Sequence, residues 1–328
     1  MCNLHTRGCV MKMPLRILLF GLIGISCVPS YAITYDLDVA INNVRNACSG
    51  INSKMDHLKL MAGINTGIGA VGTVTGAVAL GTGIAKAETD AKLEKISKQI
   101  AEKLKTVPAG VVLANKQEFL ADYERAWAED KDQPVSSENK KYIEQKNKLE
   151  QESKTLGNVR TGMLAVNTAT SIAGAVISSQ NKTSGSIRES INNCIAATDA
   201  LRESMMQARL ENKDTTQAKR IVDACAEYKF ADLSKIDKLA TGSTITSSVG
   251  AVAGGIGTIT SIAANTDATR NDNSKDGREK EKSLNTAANV FSGVTTATSA
   301  MSTVLNGVQI AAIKKVVSVS ESCEKELQ

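Results

Sequence analysis

Apolar side chains recur along most of this chain at alternating spacings of three and four residues. Between residues 283 and 313 the repeating positions are Ala287, Val290, Val294, Ala297, Met301, Val304, Val308 and Ala311. The same spacing runs from Ile245 to Ala263, from Val159 to Met205 and from Leu37 to Ala62. A 3-4 repeat is typical of a helix that packs along one seam against another helix. The pattern therefore predicts an all-α, coiled-coil-like protein in which these stripes are buried between helices.

Few residues interrupt the helical pattern, because the chain has only four prolines. A first helix is expected from Asp36 to Val107, since Pro108 cannot continue it. A second helix is expected from Glu138 to about Asn212, which contains no proline. Each would be much longer than an average globular helix.

The two segments that would connect consecutive long helices, 108–137 and 265–282, differ in composition. Residues 108–137 contain the only tryptophan and predict a short amphipathic helix at 116–130, as an insertion at the first tip. Residues 265–282 are polar and predict a turn at the second tip.

Four segments contain no Asp, Glu, Lys or Arg: 60–85, 161–181, 239–266 and 283–313. A cysteine flanks each of them on the side away from the charged connectors, in the order Cys48, Cys194, Cys225 and Cys323. This order suggests one helical hairpin present twice, at 33–212 and 213–328. A shared bias in composition would produce a similar likeness between the two halves without duplication. Antiparallel hairpins would join Cys48 to Cys194 and Cys225 to Cys323 at their open ends and pack as an elongated four-helix bundle. Spacing alone leaves three connectivities open.

The first 32 residues have the features of a cleaved signal peptide. Lys12 and Arg16 precede the short apolar run 17–26, and small residues lead to a cleavage site after Ala32. Export would place the mature chain in the periplasm, at the cell surface or outside the cell, where its four remaining cysteines can form disulfides.

Charge and motif content exclude several function classes. Without residues 1–32, 39 basic residues become 36 against 34 acidic ones, and a net charge of +2 does not indicate nucleic-acid binding. The glycines at 67, 69 and 72 match a dinucleotide fingerprint but follow a helical run, not a strand. The acidic turn at 272–283 ends in Ser283, where a calcium loop needs Glu. His57 is the only histidine after residue 32, so we expect no catalytic, metal or cofactor site and no small-molecule substrate.

Glycine is concentrated in the uncharged segments, with seven residues in 60–85 alone. Small residues let helix backbones approach closely, so glycines are expected at helix contacts. The expected packing positions are Gly63, Gly67, Gly72, Gly76, Gly250, Gly254, Gly293 and Gly307.

Two functions fit this organisation. The first is a non-enzymatic structural or interaction protein that binds itself or another envelope protein through Gly/Ala/Ser/Thr-rich stripes. The second is a membrane-active protein, similar in architecture to helical pore-forming toxins, that inserts its helix 60–85. The other three segments argue against insertion. In 283–313, Ser292, Ser299, Ser302, Asn306 and Gln309 lie opposite the apolar stripe and would face lipid, and 161–181 and 239–266 also carry many hydroxyls.

Overall fold

The computed structural model describes residues 36–104, 137–270 and 275–328. The predicted signal peptide, the helix expected at 116–130 and the start of the acidic turn at 272 lie outside the described residues. The helices are α1 Leu37–Cys48, α2 Ile51–Leu104, α3 Ser137–Gln180, α4 Gly185–Leu210, α5 Thr216–Cys225, α6 Leu233–Asn265, α7 Asp267–Arg270 and α8 Lys275–Leu327. A 3-10 turn, Ala226–Phe230, joins α5 to α6, and the described residues contain no strand.

Four long helices form the body of the molecule. Helix α2 packs against α3 and α8, and α6 packs against the same two helices, so the four close into a ring. The predicted all-α four-helix bundle is confirmed. Helices α2 and α3 form one hairpin and α6 and α8 the other, and both belong to a single compact unit, Thr34–Gln328.

The two longest helices predicted from the sequence are each interrupted. Ser49 ends α1, and Gly50 adopts a φ of 74°, a left-handed conformation that glycine adopts at little cost. Residues 181–184 separate α3 from α4, and the backbone N–H and hydroxyl of Thr183 both donate to Asp237 of α6. The prediction of uninterrupted helices was therefore wrong: the first break follows the left-handed backbone of Gly50, and the second is held by the tertiary contact of Thr183 with Asp237. The second tip is also more helical than predicted, since α6 reaches Asn265 and α8 starts at Lys275.

One end of the bundle, which we call the head, has an ordinary apolar core. The head comprises residues 37–62, 185–236 and 310–327. Its buried side chains include Ile41, Val44, Ile51, Met55, Leu58, Ile187, Ile191, Leu201, Ile221, Ile236, Ile313 and Val316. In the head, the predicted burial of the apolar stripes is confirmed for Leu37 to Ala62 and for Ile187 to Met205. Leu37 is the exception, because it is only partly buried.

Two disulfides cross-link the head. The Cys48 and Cys194 sulfurs lie 2.01 Å apart and join α1 to α4, and the Cys225 and Cys323 sulfurs lie 1.99 Å apart and join α5 to α8. These are the two pairs that the hairpin argument predicts.

Removing the Cys48–Cys194 bridge is expected to destabilise the fold. The bond closes a sequence separation of 146 residues, for which loop entropy gives about 5 kcal/mol. The double substitution Cys48→Ala and Cys194→Ala should therefore lower the thermal midpoint measured by circular dichroism. A peptide joining Cys48 to Cys225 in a non-reducing digest of the unsubstituted protein would contradict this connectivity.

Tyr228 predicts a loss of stability at alkaline pH. Its side chain is buried in the head, and burial raises the pKa of the phenol to about 12, against about 10 when unfolded. The unfolded chain therefore releases this proton first, and stability that is intact below pH 10 falls between pH 10 and 12, by at most about 1.4 kcal/mol per pH unit. Denaturation series at pH 9 to 12 should show a steeper loss for the native sequence than for Tyr228→Phe. Equal slopes would contradict the shifted pKa.

Candidate functional site

Beyond the head, the four long helices turn their large apolar side chains outward. The exposed residues are Ile64, Val71, Val74, Val78 and Ile84 of α2; Val159, Val166, Ile172 and Val176 of α3; Ile245, Val249, Val252, Ile256, Ile259 and Ile262 of α6; and Val290, Val294, Met301, Val304 and Val308 of α8. We call this surface the apolar belt. It occupies the outer faces of all four helices.

The interior at the same levels is polar, and we call it the polar column. Its buried members are Asn65, Arg160, Asn167, Ser171, Ser178, Ser243, Ser247, Ser261, Asn285, Ser292, Thr295, Ser299, Ser302, Asn306 and Gln309. The buried hydrophobic residues at the same levels are Ala79, Leu164, Ala253, Ala264 and Ala288, of which only Leu164 is large.

The prediction that the apolar stripes of the uncharged segments are buried between helices was wrong, because these stripes are exposed. In α8, Val304 of the predicted seam is 65% exposed, whereas Ser302 on the predicted outer face is 3% exposed. The 3-4 spacing shows that apolar residues share a face of the helix, but it does not show what covers that face. The objection to lipid contact raised by Ser292 to Gln309 also fails, because these side chains point into the bundle.

Hydrogen bonds between helices hold the polar column together. The Asn65 amide donates to Ser178, whose hydroxyl lies 2.9 Å from that of Ser243, and Ser243 lies 2.9 Å from Ser302. Each of the four long helices contributes one residue to this chain of contacts. Ser247 joins it through Ser302 at 3.0 Å. Buried polar groups are stable when they find such partners.

The apolar belt has the height of a bilayer's hydrocarbon core. At 1.5 Å per residue, Ile64 to Ile84 spans about 30 Å, and Val290 to Val308 spans about 27 Å. The corresponding ranges of α3 and α6, 159–176 and 245–262, each span about 26 Å. A typical hydrocarbon core is about 30 Å thick.

The outer surface of the belt carries almost no polar side chains. Within residues 60–84, 159–176, 245–262 and 290–311, Ser248 is the only exposed residue with a polar side chain. Threonines near the surface bond their own helix: Thr75 donates to the Val71 carbonyl at 2.9 Å, Thr82 to Val78 at 2.9 Å, and Thr298 to Val294 at 3.0 Å. This internal pairing is what a hydroxyl needs where water is absent.

Buried charges appear where the belt ends, on the side away from the head. The Lys86 ammonium lies 2.6 Å from Asp90 and 3.3 Å from Glu281. One level closer to the head, the fully buried Arg160 donates to Ser261 at 3.1 Å, Asn289 at 3.0 Å and Asn285 at 2.8 Å. Exposed Lys–Glu pairs continue along α2 beyond this point, at Glu88–Lys92 and Glu94–Lys98. The charge distribution thus separates a neutral belt from a charged tip region.

The predicted packing glycines divide into two groups. A Cβ placed on Gly72, Gly76, Gly250 or Gly254 would lie within 2.5 to 3.1 Å of atoms on a neighbouring helix. A Cβ on Gly63, Gly67, Gly293 or Gly307 would meet no atom within 4 Å, so these four are not packing positions within this chain. The sequence analysis missed Gly69 and Gly257, which face Thr303 and Phe291.

Residues considered for chemistry in the sequence do not form a reactive site in the described part of the chain. The glycines at 67, 69 and 72 lie inside helix α2, and His57 is exposed on α2 in the head. The sulfurs of Cys48, Cys225 and Cys323 lie within 4.8 Å of one another, but all three residues are in disulfides.

Three helical segments of the described chain are long and apolar enough to cross a membrane by length and composition: Leu37–Ile100, Lys141–Leu210 and Thr216–Asn265. Their most apolar windows are only 28%, 28% and 33% buried within the protein. Helix α8 does not reach this hydropathy because its inward face carries serine, threonine, asparagine and glutamine. Comparison with protein-family models, with curated proteins and with solved structures finds no match to this chain.

Alanine at Gly76 is expected to disrupt helix packing. Its Cβ would lie 2.5 Å from both Asn167 Nδ2 and Thr296 Oγ1, and 3.1 Å from the Thr296 Cα. Overpacking of this kind costs about 1–3 kcal/mol, so Gly76→Ala should lower the thermal midpoint. The matched control is Gly67→Ala, which has open space and should gain up to about 1 kcal/mol from helix propensity. Equal midpoints for the two variants would contradict the close α2–α8 approach.

Proposed function

We propose that the mature chain is an exported, non-enzymatic membrane protein whose four long helices span a lipid bilayer, with the apolar belt against the acyl chains. The observation that carries this proposal is the distribution of side chains along the belt, where valine and isoleucine lie on the outside of the bundle and serine and asparagine lie inside. It extends the insertion expected for residues 60–85 to all four uncharged segments.

Water is an unfavourable medium for this surface. Burying one valine or isoleucine side chain stabilises a protein by about 1.5–3 kcal/mol, and the belt leaves twenty large apolar residues exposed. Soluble monomers rarely expose apolar patches of more than a few hundred Å². The belt therefore indicates an apolar surrounding at these levels.

Lipid fits the belt better than a protein partner does. The apolar residues lie on the outer faces of four helices arranged in a ring, so a single two-fold interface would leave most of them uncovered. Lipid covers every face at once. Self-association through one face remains compatible with insertion, but it does not replace lipid as the principal contact.

The head and the charged tips fit opposite sides of the membrane. The head has a conventional apolar core, exposed charged residues and two disulfides, and disulfides persist in oxidising compartments. The signal peptide, cleaved near Ala32, would deliver the chain to such a compartment. We place the head in the aqueous phase outside the cytoplasm, with the periplasm or the cell surface as its location.

Thiol protection in vesicles tests the membrane-spanning surface. The four cysteines outside residues 1–32 are all in disulfides, so one introduced cysteine supplies a unique thiol. Val304→Cys lies in the belt, and Leu210→Cys, at a position 79% exposed in the head, is the matched control. With protein reconstituted in phosphatidylcholine vesicles, a charged maleimide should label Val304→Cys at least ten-fold more slowly than Leu210→Cys.

Two outcomes would overturn the proposal. One is equal labelling of both variants in protein that floats with the vesicles. The other is a soluble protein that does not float with vesicles at all. Equal labelling after denaturation verifies that both thiols are intrinsically reactive.

A further inference from the structure

A lysine lies just beyond the head end of the apolar belt at each of the four long helices. The four are Lys59, Lys182, Lys238 and Lys314. Each is separated from the nearest belt residue in the sequence by five to seven positions, which is about 8–10 Å at 1.5 Å per residue. Lys235 and Lys315 lie at the same end, and we call these six residues the lysine collar. Because the four helices close into a ring, the collar surrounds the bundle.

Hydrogen bonds hold the collar segments at one level. The Gln309 amide of α8 donates to the Asn181 carbonyl at 2.9 Å and to the Ile236 carbonyl of α6 at 3.5 Å. Lys182 directly follows Asn181, and Lys235 directly precedes Ile236. Headgroups add about 5–7 Å to each side of a hydrocarbon core, and a lysine can extend its ammonium group toward them on its flexible stem. With the belt against acyl chains, the collar is therefore within reach of lipid phosphates.

The collar carries an excess of positive charge. The four residues that adjoin each uncharged segment on the head side include six lysines and two acidic residues in all. One of the acidic residues, Asp56, lies 3.6 Å from the Lys59 ammonium, and the other, Asp237, pairs with Arg188. The other five collar lysines are exposed, and within the described ranges no carboxylate lies within 4.0 Å of their ammonium groups.

Two further carboxylates lie beside part of the collar. Glu227 and Asp232 line a cavity of about 350 Å³ together with Lys235 and Lys315. Asp232 also caps α6, because it accepts a hydrogen bond from the backbone N–H of Lys235 at 2.9 Å. The charges around this cavity balance, so the excess positive charge belongs to the lysines outside it. These are Lys182, Lys238 and Lys314, one at each of three helices.

The opposite end of the belt is arranged differently. The four residues that adjoin each uncharged segment on that side include five basic and four acidic residues in all. Two of the basic residues, Lys86 and Arg160, are fully buried in the bundle, and Lys86 pairs with Asp90 and Glu281. Of the two ends, the head end is thus the one with an exposed excess of positive charge.

We propose that the lysine collar binds the phosphate groups of acidic phospholipids in the membrane leaflet next to the head. This inference rests on the proposed membrane-spanning arrangement, because the belt places the collar at the level of the headgroups. Each lysine near an acidic lipid surface favours binding by about five-fold. Phosphatidylcholine has the same phosphate, but its trimethylammonium group leaves no net charge to attract the collar. Lipid fits better than a soluble acidic partner, since the collar adjoins the belt on every side of the bundle.

Spin-labelled lipids test this contact with the native protein. The protein is reconstituted in phosphatidylcholine vesicles that contain a trace of spin-labelled phosphatidylglycerol or, in parallel, of spin-labelled phosphatidylcholine. Electron paramagnetic resonance measures the fraction of each label that the protein immobilises. Phosphatidylglycerol should associate about three-fold more strongly, because one lipid contacts only one or two collar lysines at a time. In about 1 M salt, where the Debye length is about 3 Å, this preference should decrease.

Charge-neutralising variants assign the preference to the collar. Lys182→Gln, Lys238→Gln and Lys314→Gln in combination should reduce it about two-fold or more, and arginine at the same three positions should retain it. The matched control replaces three exposed lysines elsewhere in the head by glutamine and should leave the preference unchanged. These are Lys213, Lys219 and Lys325.

Three results would overturn the role of the collar. They are equal association of the two lipids with the native protein, an unchanged preference in the collar variant, and an equal loss of preference in the control variant. Protection of the Val304→Cys thiol is measured in the same vesicles. A protected thiol with equal association of the two lipids would refute the collar and leave the membrane-spanning function in place. An unprotected thiol without any immobilised lipid would refute both.

Discussion

The structure depends on hydrogen bonds between polar side chains that come from four different helices. In the uncharged section of the bundle, Asn65, Ser178, Ser243 and Ser302 hydrogen-bond to one another, and Leu164 is the one large side chain among the buried hydrophobic residues described there. Because the interior is filled in this way, valine and isoleucine at the other helix positions have no place inside. The inverted distribution of side chains follows from this one constraint.

Close backbone approach makes those hydrogen bonds geometrically attainable. The hydroxyls of serine and threonine and the amide of asparagine reach only a few ångströms from their backbone, so the helices must lie close together. Glycines at 72, 76 and 254 provide this proximity, and the Asn167 side chain lies against two of them. The cost is about 1 kcal/mol of helix propensity per glycine, which helices with many neighbours can accommodate.

The head and the belt bury opposite kinds of side chain. In the head, isoleucine, leucine and methionine are buried and two disulfides join helices, as in an exported domain exposed to water. Along the belt the same helices bury serine and expose valine. The change occurs within single helices: α2 buries Leu58 and exposes Ile64, and α8 buries Ile313 and exposes Val308. The boundary between the two kinds of burial lies near residues 62 and 310, and in the proposed arrangement one continuous helix passes from water into lipid there.

The sequence by itself determined the helical class and the four uncharged segments, because periodicity and charge are local properties, and the order of the cysteines favoured one of three possible pairings, which the structure contains. It also fixed which residues share a helix face. Only the tertiary structure decided which face lies inside, since a 3-4 repeat of Val290, Val294 and Val304 is the same whether protein or lipid covers it. The break at 181–184 likewise depends on a long-range partner, Asp237, which lies more than 50 residues away in the chain. The polar column was hidden from sequence analysis for the same reason, because its members lie far apart in the chain and meet only when four helices close into a ring.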